Sequence, residues 1–265
     1  MSFAQEQRFG DVTVQSDGDF VATVTIRRPP DNYFDQALIA SIGDAYEAID
    51  ADPACRVILL QAEGKHFCAG AQFGGPRGSG DIAVVDGQRH LYDEALRLFG
   101  AATPVVAAIQ GAAIGGGLGL ALSADFRIGV PETRMSSNFA RLGFHHGFGL
   151  TVTLPAIVGQ QKAMEMLLIG ARLDGRAALE IGLLDRLVDS AELATAAHAF
   201  AAEIAASGPL AVRSIRETMR IGLVDRIRVA TDREKAEQDW QRKTNDFAEG
   251  VLATRERRPP KFTGT

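Results

Sequence analysis

An apolar stretch without a charged side chain covers residues 98–124. Its 27 residues are long enough to span a membrane, which takes roughly 20 apolar residues. However, the stretch contains six glycines, Pro104 and Gln110, and basic residues do not flank it on both sides. The alternative is a buried strand around 105–109, a glycine turn at 115–117 and a buried helix from about Leu118. We favour this strand-turn-helix interpretation over the membrane span.

The pattern of apolar positions elsewhere predicts strands and helices in alternation, which is typical of an α/β core. Predicted strands cover 12–14, 20–26, 57–60, 105–109 and 125–130, and predicted helices cover about 35–51 and 85–98. Two glycine-containing loops are expected at 64–80, which includes a flexible part at 74–78, and at 138–149. From residue 150 onward the chain is expected to be mostly helical, with an interruption at 184–188. We therefore predict an α/β core over residues 1–200 and a helical C-terminal region over 201–265.

Composition and charge narrow the class of protein. With 46% hydrophobic and 23% charged residues, the chain is typical of a globular protein. A net charge of −5 argues against binding to nucleic acid. Cys55 and Cys68 provide neither a disulfide framework nor a metal-ligand set, and the first ten residues do not resemble a signal peptide. We expect a cytoplasmic protein without a bound metal.

Two glycine-containing turns carry the candidate chemistry. The first, at 68–71, and the second, at 115–117, each follow a predicted strand. Peptide N–H groups from two turns aimed at one point would form an oxyanion hole, which stabilises negative charge on a carbonyl oxygen. The alternative is that the glycines only permit tight packing.

Several segments resemble the crotonase superfamily, also called enoyl-CoA hydratase/isomerase. They are GKHFCAGA at 64–71, IQGAAIGGGL at 109–118, SAD at 123–125 and RRPPKF at 257–262. The resemblance implies a spiral of β-β-α turns with a helical C-terminal trimerisation region, assembled as a homotrimer or as a hexamer of two trimers. It also implies an acyl-CoA thioester substrate, whose coenzyme A is part of the substrate and not a separate cofactor. By position, the amides of Ala71 and Gly116 would hold the enolate.

The chain departs from the family at the positions that move protons. Hydratases of this family use two glutamates, and the matching positions here are Gly119 and Phe139. The aspartate found in isomerases and dehalogenases is also absent, because no carboxylate occurs between Glu132 and Glu165. We therefore expect an isomerase, a hydrolase, a decarboxylase or an atypical hydratase. The alternative is a non-catalytic member that binds acyl-CoA or acts as a scaffold.

His145 and His146 are the leading candidates for the acid or base, since imidazole titrates near neutral pH. Adjacent side chains on an extended loop point apart, so we expect only one to face the thioester; both could instead be structural. The reserve candidates are expected to lie on a solvated helix face: Asp86, His90, Asp93 and Glu94. Arg141 could pair with a substrate carboxylate but is more typical of a surface charge, and Asp125 is expected to be a structural capping or pairing group.

The resemblance also implies a set of substrate contacts. Adenine would lie against the turn at 66–71, the phosphates would meet Arg27 or Arg28, and the C-terminal end of a neighbouring subunit would close over the nucleotide. The predicted substrate-binding residues are His66, Cys68, Ala69, Gly70, Gly115, Phe139, Arg28, Lys261 and Phe262.

Overall fold

The computed structural model describes residues 3–71 and 89–265. Its strands are β1 (Gln7–Phe9), β2 (Val12–Gln15), β3 (Val21–Ile26), β4 (Val57–Ala62), β5 (Val105–Ile109), β6 (Ala112–Ile114), β7 (Phe126–Gly129), β8 (Arg134–Ser136), β9 (Leu173–Asp174) and β10 (Arg186–Leu187). Its α-helices are α1 (Gln36–Asp50), α2 (Leu91–Gly100), α3 (Gly116–Ser123), α4 (Leu150–Val158), α5 (Gln160–Ile169), α6 (Gly175–Glu180), α7 (Leu193–Ala205), α8 (Pro209–Met219), α9 (Leu223–Gln241) and α10 (Asn245–Glu256). Short 3-10 helices lie at Phe139–Leu142 and Ser190–Glu192.

Two sheets organise the core. The larger has the strand order β1-β2-β3-β4-β5-β7-β10; it begins as an antiparallel meander and continues in parallel from β3 to β10. The smaller has the order β6-β8-β9. Consecutive turns of the chain add one strand to each sheet, first β5 and β6, then β7 and β8. An isolated bridge pairs Cys68 with Ala113 of β6, so the segment that follows β4 also lies beside the small sheet. This is the predicted spiral of β-β-α turns.

The large sheet is covered on both faces, as its β4 strand illustrates. Val57 and Leu59 belong to a cluster formed with α7, whereas Ile58 and Leu60 belong to the main core shared with α1. Neighbouring side chains of a strand point to opposite faces, so a strand buried on both sides is apolar at every position. This explains why residues 57–60 form a continuous apolar run.

The apolar stretch at 98–124 folds into a strand, a turn and a helix, with a short second strand before the helix and the helix starting two residues earlier than predicted. It contains β5, a turn with Gly111 in the left-handed region, β6 and the buried helix α3. None of the helices in the two described ranges combines the length and the apolar character that crossing a membrane requires. The strand-turn-helix interpretation is confirmed.

The element predictions fail mainly where the elements are short. Asp35 caps α1 by accepting a hydrogen bond from the Leu38 N–H, so this helix lies close to its predicted bounds. The strands β1, β6, β8 and β9 have two or three residues and were not predicted, because so few residues show no periodicity. The predicted helix from 85 is described only from α2 onward, and the flexible glycine-rich part at 74–78 lies outside the described residues.

Asp125 links α8 to the large sheet through hydrogen bonds and ion pairs. Its carboxylate accepts the Val105 N–H at 2.8 Å and the Arg216 Nε at 2.8 Å, and it also pairs with Arg220. The side chains of both arginines are largely buried. The prediction that Asp125 is a structural pairing group is confirmed. The predicted division of the chain at residue 200 falls within α7 and stays a prediction.

Replacing Asp125 by Asn should lower the free energy of unfolding by about 3 kcal/mol, because two buried guanidinium groups lose their counter-charge. Chemical denaturation of the purified variant measures this loss. The control is Glu165→Gln, which breaks the exposed Lys162–Glu165 pair and should cost less than about 1 kcal/mol. Equal losses for the two variants would contradict the role given to Asp125.

Candidate active site

The two glycine-containing turns are in direct contact. The Cys68 N–H donates to the Ala112 carbonyl at 2.9 Å, and the Cys68 carbonyl accepts the Ile114 N–H at 3.1 Å. A β-carbon at Gly117 would overlap the Cys68 carbonyl oxygen, so only glycine permits this approach. The backbone segments that the sequence separates by more than 40 residues are thus held as neighbours.

Each turn presents a peptide N–H that has no acceptor among the described residues. In the first turn, Gly70 has φ +96° and its carbonyl accepts the Phe34 N–H at 3.1 Å, while the N–H of Ala71 has no acceptor within residues 3–71 and 89–265. In the second turn, Gly115 has φ +58° and precedes α3, and Gly116 is the first residue of that helix. The first N–H groups of a helix lack intrahelical partners and carry its positive partial charge. The arrangement suits an oxygen that becomes negatively charged.

Phenylalanine rings surround the second turn. A β-carbon at Gly116 would overlap the Phe34 ring, and one at Gly119 would lie 2.6 Å from the β-carbon of Phe148. The Phe34 and Phe148 rings meet edge to face with centroids 5.9 Å apart. Phe139, which is almost fully buried, lies near Gly115. The two positions that hold glutamates in the resembled hydratases are therefore bordered by apolar rings.

The stacking of His145 and His146 contradicts the expectation that their side chains point apart. Their ring centroids are 4.1 Å apart with an interplanar angle of 28°. The loop is not extended here, since Phe148 has φ +63° and the Gly147 backbone lies close to the Tyr92 hydroxyl. His145 Nδ1 lies 2.8 Å from the His146 carbonyl, and His146 Nε2 lies 2.8 Å from Thr151 Oγ1.

Glu234 of α9 is a buried carboxylate that the sequence did not reveal. It accepts the N–H groups of Gly149 at 2.9 Å and Thr151 at 3.1 Å, and it lies 3.9 Å from His146 Nε2. It lies 85 residues after Gly149, in a strongly charged helix. One signal was present: Ile227, Thr231, Glu234 and Gln238 recur at helical spacing, and all are buried.

The buried environment sets the charge of these groups. Burial raises the pKa of Glu234, while its hydrogen bonds from Thr151 and Gly149 act in the opposite direction. Burial, reinforced by the neighbouring His145, lowers the pKa of His146 to about 3. His146 is therefore neutral at pH 7 and has one unprotonated ring nitrogen.

The reserve candidates differ in their surroundings. Glu94 is buried and pairs with Arg97 at 2.6 Å, so the expectation of a solvated position is wrong for this residue. Asp93 is exposed as expected. His90 caps α2 by accepting the Tyr92 N–H, and Asp86 lies outside the described residues.

The residues predicted to contact coenzyme A divide into three groups. His66 and Ala69 are fixed by hydrogen bonds to other segments, from the Ala112 N–H to His66 Nδ1 and from the Ala69 N–H to the Asp31 carbonyl. Cys68 is buried, which raises the pKa of its thiol to about 12 and makes it inert. Arg28 pairs with Asp11 at 2.6 Å and Asp35 at 2.8 Å, so its charge is already balanced.

The C-terminal tail folds back onto α10. The Lys261 N–H donates to Glu249, and the Thr263 N–H donates to Asp246. The Phe262 side chain is partly exposed. Arg141 donates to the Ile169 carbonyl at 2.8 Å from an exposed position.

Known proteins are similar to this chain in sequence and in fold. The family model described as enoyl-CoA hydratase/isomerase matches residues 17–265. A probable enoyl-CoA hydratase of Bacillus subtilis is 31% identical over 92% of this chain and 96% of its own length. The 1,2-epoxyphenylacetyl-CoA isomerase of Escherichia coli is 28% identical over 92% of this chain and 95% of its own. The crystal structure of an enoyl-CoA hydratase/isomerase from Pseudoalteromonas atlantica superposes with a TM-score of 0.86 at 28% identity, over 96% of this chain and all of that one.

The packing of Gly119 against Phe148 predicts a specific stability effect. Gly119→Ala should lower the free energy of unfolding by about 1–3 kcal/mol, because the added methyl group meets backbone-proximal atoms that cannot move aside. In a Phe148→Gly background, which removes the β-carbon together with the ring, the same substitution should cost much less. Urea denaturation of the four proteins in this cycle measures the difference.

The matched control is Gly100→Ala at the end of α2, where the nearest atom to the added carbon is 4.0 Å away. Its stability should stay the same or rise by a few tenths of a kcal/mol, because alanine favours helix more than glycine does. A cost at Gly119 that does not depend on Phe148 would exclude the proposed contact.

Proposed function

The chain belongs to the enoyl-CoA hydratase/isomerase family, and we propose that it acts on an acyl-CoA thioester by stabilising an enolate with the peptide N–H groups of Ala71 and Gly116. The relatives named as an enoyl-CoA hydratase and as an acyl-CoA isomerase support this substrate class. Coenzyme A enters as part of the substrate, and the proposal requires no separate cofactor.

The observation that carries the proposal is the contact between the two turns. Cys68 joins them through two hydrogen bonds to β6, and each turn keeps one N–H without an acceptor among the described residues. The hydrogen bonds from two such donors become stronger as the thioester oxygen gains the negative charge of the enolate. Removing one donor typically costs about 3 kcal/mol of activation free energy. A packing role for the glycines explains their close approach but gives no role to the two donors.

The absence of glutamates at positions 119 and 139 limits the reactions that this site could catalyse. Gly119 and Phe139 have no proton to transfer, so we exclude hydration by a glutamate pair. The histidine loop borders α3, because Phe148 packs on Gly119 two residues after His146. We assign proton transfer to the histidine pair, with His146 as the base. An imidazole contributes typically 10²–10⁴-fold in such a role.

Double-bond migration fits these residues best. A single base that removes a proton at one carbon and returns it at another needs no bound water, whereas hydrolysis and hydration both do. The rings of Phe34, Phe139 and Phe148 around the second turn favour an apolar acyl chain and disfavour water. Product analysis distinguishes isomerisation from hydrolysis, decarboxylation and atypical hydration.

For coenzyme A itself we retain the turn at 66–71 as the adenine contact, with Lys261 and Phe262 of a neighbouring subunit as a cover. We leave out Arg28, because two carboxylates already neutralise it. Assembly as a trimer or a dimer of trimers is supported by large apolar side chains that are mostly exposed in the single chain, among them Leu210, Met219 and Val229.

The enolate step can be tested without knowing the natural acyl chain. Incubating the protein with a short 3-enoyl-CoA in deuterium oxide should exchange the α-protons and yield the conjugated 2-enoyl-CoA, both followed by mass spectrometry and absorbance. Replacing Gly116 by Pro removes its N–H at a helix position that tolerates proline. Exchange should then fall by about 10²–10³-fold, the effect of losing one oxyanion donor.

A side chain at Gly116 would overlap the Phe34 ring, so the Gly116→Pro variant and its control both also carry Phe34→Ala. Gly116→Ala in that background keeps the N–H and is the matched control. Equal exchange by the Pro and Ala variants would refute the oxyanion role. Tight binding of the enoyl-CoA without exchange by the unmodified protein would support the non-catalytic alternative instead.

The proposed assembly predicts a particle mass. Light scattering of the purified protein should give three or six times the 28.3 kDa of one chain. A monomer at micromolar concentration would contradict both the trimer and the contribution of a neighbouring C-terminal end.

A further inference from the structure

The hydroxyl group of Thr151 lies between His146 and Glu234. Its Oγ1 is 2.7 Å from Glu234 Oε1 and 2.8 Å from His146 Nε2. A threonine hydroxyl has one hydrogen to donate and lone pairs to accept with. It can therefore donate to only one of these two neighbours and must accept from the other.

Glu234 is the neighbour that takes this hydrogen. Its two oxygens also accept the N–H groups of Gly149 and Thr151 at the start of α4. Burial raises the pKa of Glu234, whereas three donors directed at one carboxyl group and the positive end of the helix act in the opposite direction and favour the ionised form. An ionised carboxylate only accepts, so the Thr151 hydroxyl donates to it and offers a lone pair to His146 Nε2.

The two histidine rings must then carry their protons on different nitrogens. His146 Nε2 faces a lone pair and so carries the hydrogen, and Nδ1 is left unprotonated because the ring is neutral. Among the described residues, His146 Nδ1 has no hydrogen-bond partner. His145 is the reverse case, since its Nδ1 faces the His146 carbonyl oxygen, which can only accept.

We infer that Thr151 and Glu234 are positioning residues that hold His146 as the neutral tautomer with its proton on Nε2, which makes Nδ1 the atom that takes a proton from the acyl substrate. The tautomer follows from the geometry, whereas its catalytic use rests on the proposed function. In that step the α-carbon–hydrogen bond breaks, the proton goes to Nδ1, and the electron pair moves to the thioester oxygen to form the enolate. Double-bond migration is completed when Nδ1 returns the proton to the γ-carbon.

Glu234 then has a second role besides capping α4, which is to stabilise the positive charge of His146. When His146 becomes an imidazolium, its Nε2–H still donates to Thr151, and the charge of the Glu234 carboxylate lies 3.9 Å away. A buried carboxylate that orients an imidazole and stabilises its charged form has the same role in the serine-protease triad, with the difference that a hydroxyl stands between the two groups here. A cap that served only α4 would not depend on the Thr151 hydroxyl.

The test compares Thr151→Val with Thr151→Ser. Valine has the shape of threonine without the hydroxyl and leaves the backbone bonds of Glu234 in place, whereas serine keeps the hydroxyl. Nitrogen-15 NMR of histidine-labelled protein reports which ring nitrogen is protonated. The chain has five histidines, and His145→Gln and His146→Gln assign the two signals.

In the unmodified protein and in Thr151→Ser, we expect His146 with a protected Nε2–H signal and His145 with its proton on Nδ1. In Thr151→Val, the protected Nε2–H signal of His146 should be lost, while the Nδ1–H signal of His145 persists. Deuterium exchange of the enoyl-CoA should fall about tenfold in the valine variant, part of the 10²–10⁴-fold that a positioned base contributes, and should be rescued by serine.

A His146 that carries its proton on Nδ1 in the unmodified protein overturns the inference, as does an Nε2–H signal that survives in Thr151→Val. If the NMR result holds but no variant exchanges the α-protons, the proposed function fails and the tautomer assignment stands. If exchange proceeds with His146 in the other tautomer, the proposed function stands and the positioning role of Thr151 and Glu234 fails.

Discussion

The close contact between Cys68 and the segment that begins α3 is the constraint on which the candidate site depends. The Cys68 carbonyl accepts the Ile114 N–H and lies against Gly117, where no side chain fits. This contact fixes the position of one turn relative to the other, and it does so through backbone atoms that side-chain variation does not move. Preorganised donors of this kind are effective because they need no rearrangement when charge develops. The two sheets of the spiral thus hold the turns at 68–71 and 115–117 next to each other, although they are distant in sequence.

A second constraint is the attachment of the histidine loop to α9. Glu234 bonds the N–H groups at the start of α4, and Gln238 donates to the His145 carbonyl at 2.9 Å. Further along the helix, Gln241 accepts the His145 N–H at 2.5 Å. The C-terminal part of the chain thus determines the shape of a loop that lies almost 90 residues before it. Unfolding of α9 would release the loop and expose the Glu234 carboxylate, so α9 contributes directly to the shape of the candidate site.

The sequence was sufficient for features that depend on neighbours along the chain. The Asp35 cap, the apolar run of β4 and the strand-turn-helix at 105–123 follow from local chemistry, and the structure confirms them. Glu234 could not be recognised as buried, because the α4 backbone groups that bond it are brought close only by folding. Glu94 has a local partner in Arg97, three residues further along α2, but its burial depends on the packing of α2 against α1. The prediction that the side chains of His145 and His146 point apart is wrong for a related reason. It requires an extended loop, whereas contacts with Tyr92 and Gln238 hold the loop in a bent conformation.

The low pKa of His146 raises the question of how such a ring can act as a base at all. Burial penalises the imidazolium cation and lowers the pKa of His146 to about 3, so the ring takes a proton from solvent reluctantly. In the proposed reaction, however, the cation does not form alone. Its charge arises together with the negative charge of the enolate, and two opposite charges created in a site of low polarity stabilise one another. The amides of Ala71 and Gly116 stabilise the enolate and the Glu234 carboxylate stabilises the imidazolium, so the environment that suppresses protonation by solvent favours it when the proton comes from the substrate.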